Sequence, residues 1–114
     1  MCLGVTGSNP VNIKPVRYVS QIPQTWGLYT NGDLYHGSSN TRVCPSWYVS
    51  TGDDVSLEWN PPHVTVYKNS NKLHQWETSD IQGKVWMVAV LGYNMTLSIS
   101  GEYVLTVPIT VNYL

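Results

Sequence analysis

With 114 residues, 42% of them hydrophobic and only 11% charged, the chain has room for one domain with a single two-layer core. Its net charge is −1, from 6 basic and 7 acidic residues, so no basic stripe is available to neutralise phosphates and the composition argues against a nucleic-acid partner. No run approaches the ~20 apolar residues of a membrane helix, so no membrane insertion is expected. The surface is expected to carry neutral Ser, Thr, Asn and Gln, which suits uncharged partners.

Met1 reads as an initiator placed before a mature, processed N-terminus, which would put a secretion signal outside this sequence. Around Lys14-Pro15, Val11, Ile13, Val16 and Tyr18 alternate, and the proline marks an edge strand. Trp26 to Thr30 and Asp33 to His36 flank Asn31-Gly32, the strongest short hairpin signal in the chain. Trp47-Tyr48-Val49 follows as a short strand, then a Thr51-Gly52-Asp53-Asp54 turn, then Val55 to Trp59 in strict alternation. Pro61-Pro62 interrupts the chain. His63 to Tyr67 and Lys72 to Trp76 enclose Asn69-Ser70-Asn71, a second predicted hairpin. Lys84 to Leu91 reads as a buried central strand, Met95 to Ile99 as another, and Glu102 to Tyr113 as a last strand interrupted by Pro108. Ala occurs once and no helical period runs for three turns. Regularly spaced strands with Pro, Gly and Asn between them predict one all-β, antiparallel sandwich over residues 1–114.

Cys2 and Cys44 lie 42 positions apart and neither belongs to a CxxC pair, which disfavours zinc and dithiol chemistry. In an oxidising compartment they would form a Cys2–Cys44 disulfide; in the cytosol they would stay two free thiols. The low charge favours the first.

Catalytic signatures are missing: there is no GxSxG, HExxH or P-loop. Asp53 and Asp54 are adjacent, so in a strand they would point to opposite faces, and they read as turn formers. No enzymatic activity and no cofactor are expected. His36, His63 and His74 would be the metal ligands if any metal bound, yet no HxH pair fixes two of them. They read as ordinary strand histidines.

Five Trp and eight Tyr stand against no Phe. Rings that carry an N–H or O–H lean toward amphipathic surfaces, where they stack on sugars or form protein hot spots. Trp59 and Trp86 are expected in the core. Trp26, Tyr29, Tyr35, Trp47, Tyr48 and Trp76 lie beside turns and polar clusters. The predicted ligand surface is therefore Trp26, Tyr29, Asn31, Asp33, Tyr35, His36, Trp47 and Trp76, with Asn31 and Asp33 as polar anchors. Asn94-Met95-Thr96 also matches a glycosylation sequon.

A cysteine at position 2, another some forty residues on, and the ending Ser100-Gly101-Glu102-Tyr103-Val104-Leu105-Thr106-Val107-Pro108-Ile109-Thr110-Val111 resemble bacterial chaperone–usher fimbrial subunits, in particular tip-adhesin receptor-binding domains. The resemblance implies an immunoglobulin-like sandwich at the cell surface, with a host glycan or glycoprotein receptor as partner, beside other fimbrial subunits. A second resemblance is to immunoglobulin-superfamily domains: Val66 to Leu73 is similar to their C–C′ hairpin, and Leu97 to Tyr103 to their E–F corner. It implies a protein-binding module of a viral or cell-surface protein. Together these readings predict a secreted, fimbrial, glycan-recognising adhesion domain that binds without catalysing.

Overall fold

The computed structural model describes residues 1–9, 11, 19–91 and 109–112. Among them are nine strands and no α-helix: β1 (Cys2–Thr6), β2 (Thr25–Tyr29), β3 (Asp33–His36), β4 (Ser39–Arg42), β5 (Val55–Asn60), β6 (His63–Lys68), β7 (Asn71–Glu77), β8 (Trp86–Leu91) and β9 (Ile109–Asn112). A six-stranded sheet has the order β4-β3-β2-β1-β8-β9, and a three-stranded sheet the order β5-β6-β7. The chain is all-β with two sheets. The pairings are antiparallel except that β9 lies parallel to β8, which departs from the purely antiparallel expectation. The expected strand over 95–99, the sequon at Asn94, positions 12–18 of the expected edge strand and residues 100–108 of the fimbrial-like segment lie outside the described residues, while its residues 109–111 belong to β9.

Turn chemistry sets the registers. Leu28 pairs with Leu34, so the β2–β3 loop holds three residues, Thr30 to Gly32. Only Gly32 has positive φ (+91°), in place of the expected two-residue Asn-Gly turn. The Asn69-Ser70 turn between Lys68 and Asn71 does take left-handed φ at both positions, 50° and 69°, as a type I′ hairpin requires. Pro61-Pro62 is itself the two-residue link between β5 and β6, since Asn60 pairs with His63. Trp47-Tyr48-Val49 forms no strand: the Trp47 amide turns back to donate to the Thr30 carbonyl at 2.7 Å.

The sheets share one core. Leu3, Val5 and Leu28 of the large sheet meet Val64, Val66 and Trp76 of the small one, with Trp47, Ile81 and Ala89. Trp59 packs half-buried against this core, and Trp86 is half-buried too, so neither is as enclosed as expected. The other face of the large sheet has its own buried cluster of Cys2, Val19, Val88 and Val90, flanked by Tyr29 and Tyr35. Strand alternation explains both: β1 sends Leu3 and Val5 one way and Cys2 the other. Gly4 and Gly27 face each other across β1 and β2, and a side chain at Gly4 would collide with the Trp26 carbonyl.

The same alternation overturns the expected disulfide. Cys2 belongs to the cluster on one face of the large sheet, whereas Cys44 packs against the core on the other. Both thiols are free. Burial pushes each thiol above its ordinary value, with the Arg42 charge partly opposing the shift at Cys44.

Candidate functional site

The expected ligand surface does not assemble as one patch. Residues 26 and 29 are an odd number apart on β2, so they point to opposite faces. Trp26 lies against the shared core, as does Leu34; Tyr29 and Tyr35 sit on the Cys2 face, their ring centroids 4.7 Å apart and tilted by 59°. Trp47 and Trp76 are buried, at 6% and 7% exposure, and pack in the core. Of the aromatics expected near solvent, Tyr48 is the open one, 73% exposed with the Lys68 ammonium 4.7 Å from its ring centre.

The polar anchors are occupied by one another. Asn31 Oδ1 accepts from the Asp33 amide at 2.9 Å, and Asn31 Nδ2 donates to Asp33 Oδ2 at 3.3 Å. Asn40 Nδ2 and the Arg42 guanidinium approach the same carboxylate at 3.4 and 3.9 Å. These contacts hold the β2–β3–β4 turns in place. Asp53 likewise fixes a turn. Its carboxylate accepts from the Asn69 amide at 3.0 Å and the Ser50 backbone at 2.8 Å, which together hold it below its ordinary value of 3.8.

His36 stacks on Trp26 with ring centroids 3.7 Å apart and planes 4° from parallel. Its Nε2 lies 3.1 Å from Asp80 Oδ2 and its Nδ1 3.1 Å from the Thr25 carbonyl oxygen. Trp26 Nε1 donates to the other Asp80 oxygen at 2.8 Å, and Gln24 Nε2 to the Asp80 carbonyl at 3.1 Å. Asp80 lies on the connection from β7 to β8, which carries the chain from the small sheet to the large one. The arrangement clasps that connection to the large sheet. Both imidazole nitrogens face oxygen acceptors, so the neutral ring donates to one of them, and the tautomer decides which.

The remaining histidines lie on the small sheet. His63 Nε2 is 3.3 Å from Glu77 Oε1, and His74 lies 6.2 Å from Trp76, ring to ring. Among the described residues, no three His, Cys, Asp or Glu side chains converge as a metal site would require.

His63 and His74 do share a groove. A shallow depression of ≈ 540 Å³ is lined by His63, Lys72, Leu73, His74, Gln75, Trp76 and Glu77. β7 is an edge strand, paired only with β6 among the described residues. Gln75 and Glu77 stand opposite Thr65 and His63, on the face turned away from the core; His74 and Trp76 stand opposite Val66 and Val64, on the core face. A bulge at Leu73 shifts the register, since Val66 pairs with His74 but Tyr67 with Lys72. Lining from both faces means the groove follows the free edge of the strand.

Its electrostatics are balanced. Lys72 and Glu77 carry opposite charges near its two ends. Burial, with Lys72 adding to it, holds His74 below its ordinary value of 6.5, so at neutral pH its ring offers one donor and one acceptor. Trp76 Nε1 is buried and has no hydrogen-bond partner among the described residues. Trp26 and Trp47 differ: their indoles donate to Asp80 at 2.8 Å and to the Tyr29 carbonyl at 3.0 Å. The sequence reading named Trp76 and His74 separately. It did not join them with Gln75, Lys72 and Glu77, although one strand carries all five.

No protein family, no curated protein and no solved structure matches this chain.

Proposed function

We propose that this domain is a non-catalytic recognition module that binds a neutral, hydroxyl-rich ligand, a glycan, in the groove along β7. The carrying observation is the lining of that groove: a neutral imidazole and a primary amide lie between two opposite, roughly cancelling charges on a free strand edge. Such a set meets the mixed donors and acceptors of a saccharide without favouring a charged one. The Trp26 to His36 surface read from the sequence is replaced in this proposal by the β7 side, because its anchors are engaged internally and Trp47 is enclosed.

Both resemblances imply two facing sheets with an immunoglobulin-like strand order, and that order belongs to the proposal. The extracellular, fimbrial setting belongs to it as well. With both thiols free, that setting rests on the neutral polar composition and the adhesin-like resemblance. A shallow groove binds weakly, so firm attachment would come from display in many copies.

A glycan array printed at high density, read with the labelled protein, tests the reading. Selective binding that Gln75→Ala and Lys72→Ala both reduce supports it. Silence across the array overturns it and favours a protein partner.

A further inference from the structure

β7 is the side of the small sheet left open among the described residues, and its backbone groups face that side in a definite pattern. The Thr78 amide donates inward to the Pro62 carbonyl at 2.8 Å. Backbone groups alternate along an antiparallel strand, so Glu77 and Gln75 turn theirs outward. At the other end Lys68 and Asn71 close the two-residue turn and face each other, which turns Lys72 outward as well. Unpaired N–H and C=O groups along an edge are a template for another strand.

The side chains of Lys72, Gln75 and Glu77 are exposed. They stand opposite Tyr67, Thr65 and His63, alternate positions of β6, and so project from one face, the face turned away from the core. Residues 72 and 77 are an odd number apart and would take opposite faces in a regular strand; the bulge at Leu73 brings them onto the same one. The bulged span from Lys72 to Gln75 matches the span from Thr65 to Tyr67 on β6. It therefore also matches the regular span from Gln75 to Glu77 on a second β7.

We propose that the occupant of this edge is a second copy of the chain, its β7 antiparallel to the first across a two-fold axis at Gln75. In that register Lys72 of each copy lies opposite Glu77 of the other, and the two Gln75 amides, each with a donor and an acceptor, meet at the axis. A two-fold axis normal to the sheet keeps every residue on its own face, a condition that residues 72 and 77 meet because of the bulge. The strand is complementary in charge to itself reversed, whereas an acidic or a basic peptide would meet one charge of its own sign. The contact is short, so the association is weak. This inference goes beyond the recognition reading: the second copy lies along the groove and competes with a saccharide for the same edge.

Sedimentation equilibrium of the native protein, followed from micromolar to millimolar concentration, is expected to show monomer and dimer in exchange. Lys72→Glu and Glu77→Lys should each weaken the dimer roughly tenfold or more, since each sets like charges opposite at two symmetric places. The double exchange Lys72→Glu with Glu77→Lys keeps the native net charge and the complementarity, and should restore the dimer. In the native protein the amides of Lys72, Gln75 and Glu77 should exchange with deuterium more slowly as concentration rises, and those of β4 should not. A protein that stays monomeric at millimolar concentration overturns the inference and leaves the recognition reading to the glycan array. A dimer indifferent to the single variants, or a double exchange no tighter than they are, places the contact in another register or on another surface and overturns it as well. Should a variant misfold, the concentration dependence of the native β7 amides decides the matter: unchanged exchange rejects the paired edge.

Discussion

The clasp at Trp26, His36 and Asp80 and the groove at His74 and Trp76 use the same residue types to opposite ends. Each sets an imidazole beside an indole. In the clasp the rings stand 3.7 Å apart, and Asp80 takes the indole N–H while facing one imidazole nitrogen. In the groove the rings stand 6.2 Å apart and the indole N–H meets no acceptor among the described residues. The difference is one carboxylate. Asp80 arrives on the connection between the sheets and closes the first pair, whereas β7 is a sheet edge and nothing among the described residues closes the second. Satisfied polar clusters stabilise a fold, whereas a buried donor left unpaired costs free energy.

The largest effect is expected from breaking the clasp. Asp80→Ala removes the acceptor of the Trp26 indole and the carboxylate beside His36 Nε2 together. A hydrogen bond to a charged group contributes about 1.5–3 kcal/mol, and an exposed ion pair adds little. The variant should lose about 2 kcal/mol in urea unfolding, and Asp80→Asn, which keeps an oxygen for the indole, distinctly less. Equal losses for the two would mean that the charge holds the clasp, and the hydrogen bond does not.

A finer comparison uses two tryptophans of matched burial. Trp47 and Trp76 are 6% and 7% exposed and both belong to the shared core. Replacing either by Phe removes similar volume, so cavity costs nearly cancel between them. Only Trp47→Phe deletes a formed hydrogen bond, since Tyr29 accepts from its indole at 3.0 Å. The Tyr29 carbonyl keeps the Gly32 amide at 2.9 Å and is not left bare. Trp47→Phe should therefore be the more destabilising by about 1 kcal/mol. Equal losses in urea melts would show that Trp76 has an acceptor in solution, and the contrast between clasp and groove would fail.

The sequence carried most of this fold and little of the site, for identifiable reasons. Alternation exposed β5, which has one face on the core and one toward water, and it exposed β6 through Val64 and Val66 on the core face, although Thr65 between them is buried as well. It missed β1, which is buried at all five positions and so shows no alternation, and β4, Ser39–Arg42, which is exposed at all four and carries no apolar signal. At the site, the absence of Phe suggested surface rings, but composition does not say which way a ring points. The parity that separates Trp26 from Tyr29 was present in the sequence. The bulge at Leu73 was not, and it is the bulge that brings Leu73, His74 and Trp76 together toward the core side. An orphaned indole is less legible still, since it depends on what the rest of the chain fails to bring near.

The smallest expected effect is also the most specific to the groove. Burial and the Lys72 ammonium hold the folded His74 below its ordinary 6.5, so the unfolded chain takes up a proton at higher pH than the folded protein does. The neutral ring's contribution to stability is then complete above about pH 6.5 and lost as pH falls through the lower folded value. Asp53, also lowered, loses its contribution further down, as pH falls below its ordinary 3.8 toward its folded value. Below pH 6.5 the urea midpoint of the native protein should decline with a component that His74→Gln lacks, while the Asp53 component is common to both proteins. Lys72, His63 and Glu77 are common to both proteins, so their titrations cancel in the difference. Parallel curves below pH 6.5 would place His74 in water in both states, and the groove would lose the neutral imidazole on which the proposed ligand chemistry depends.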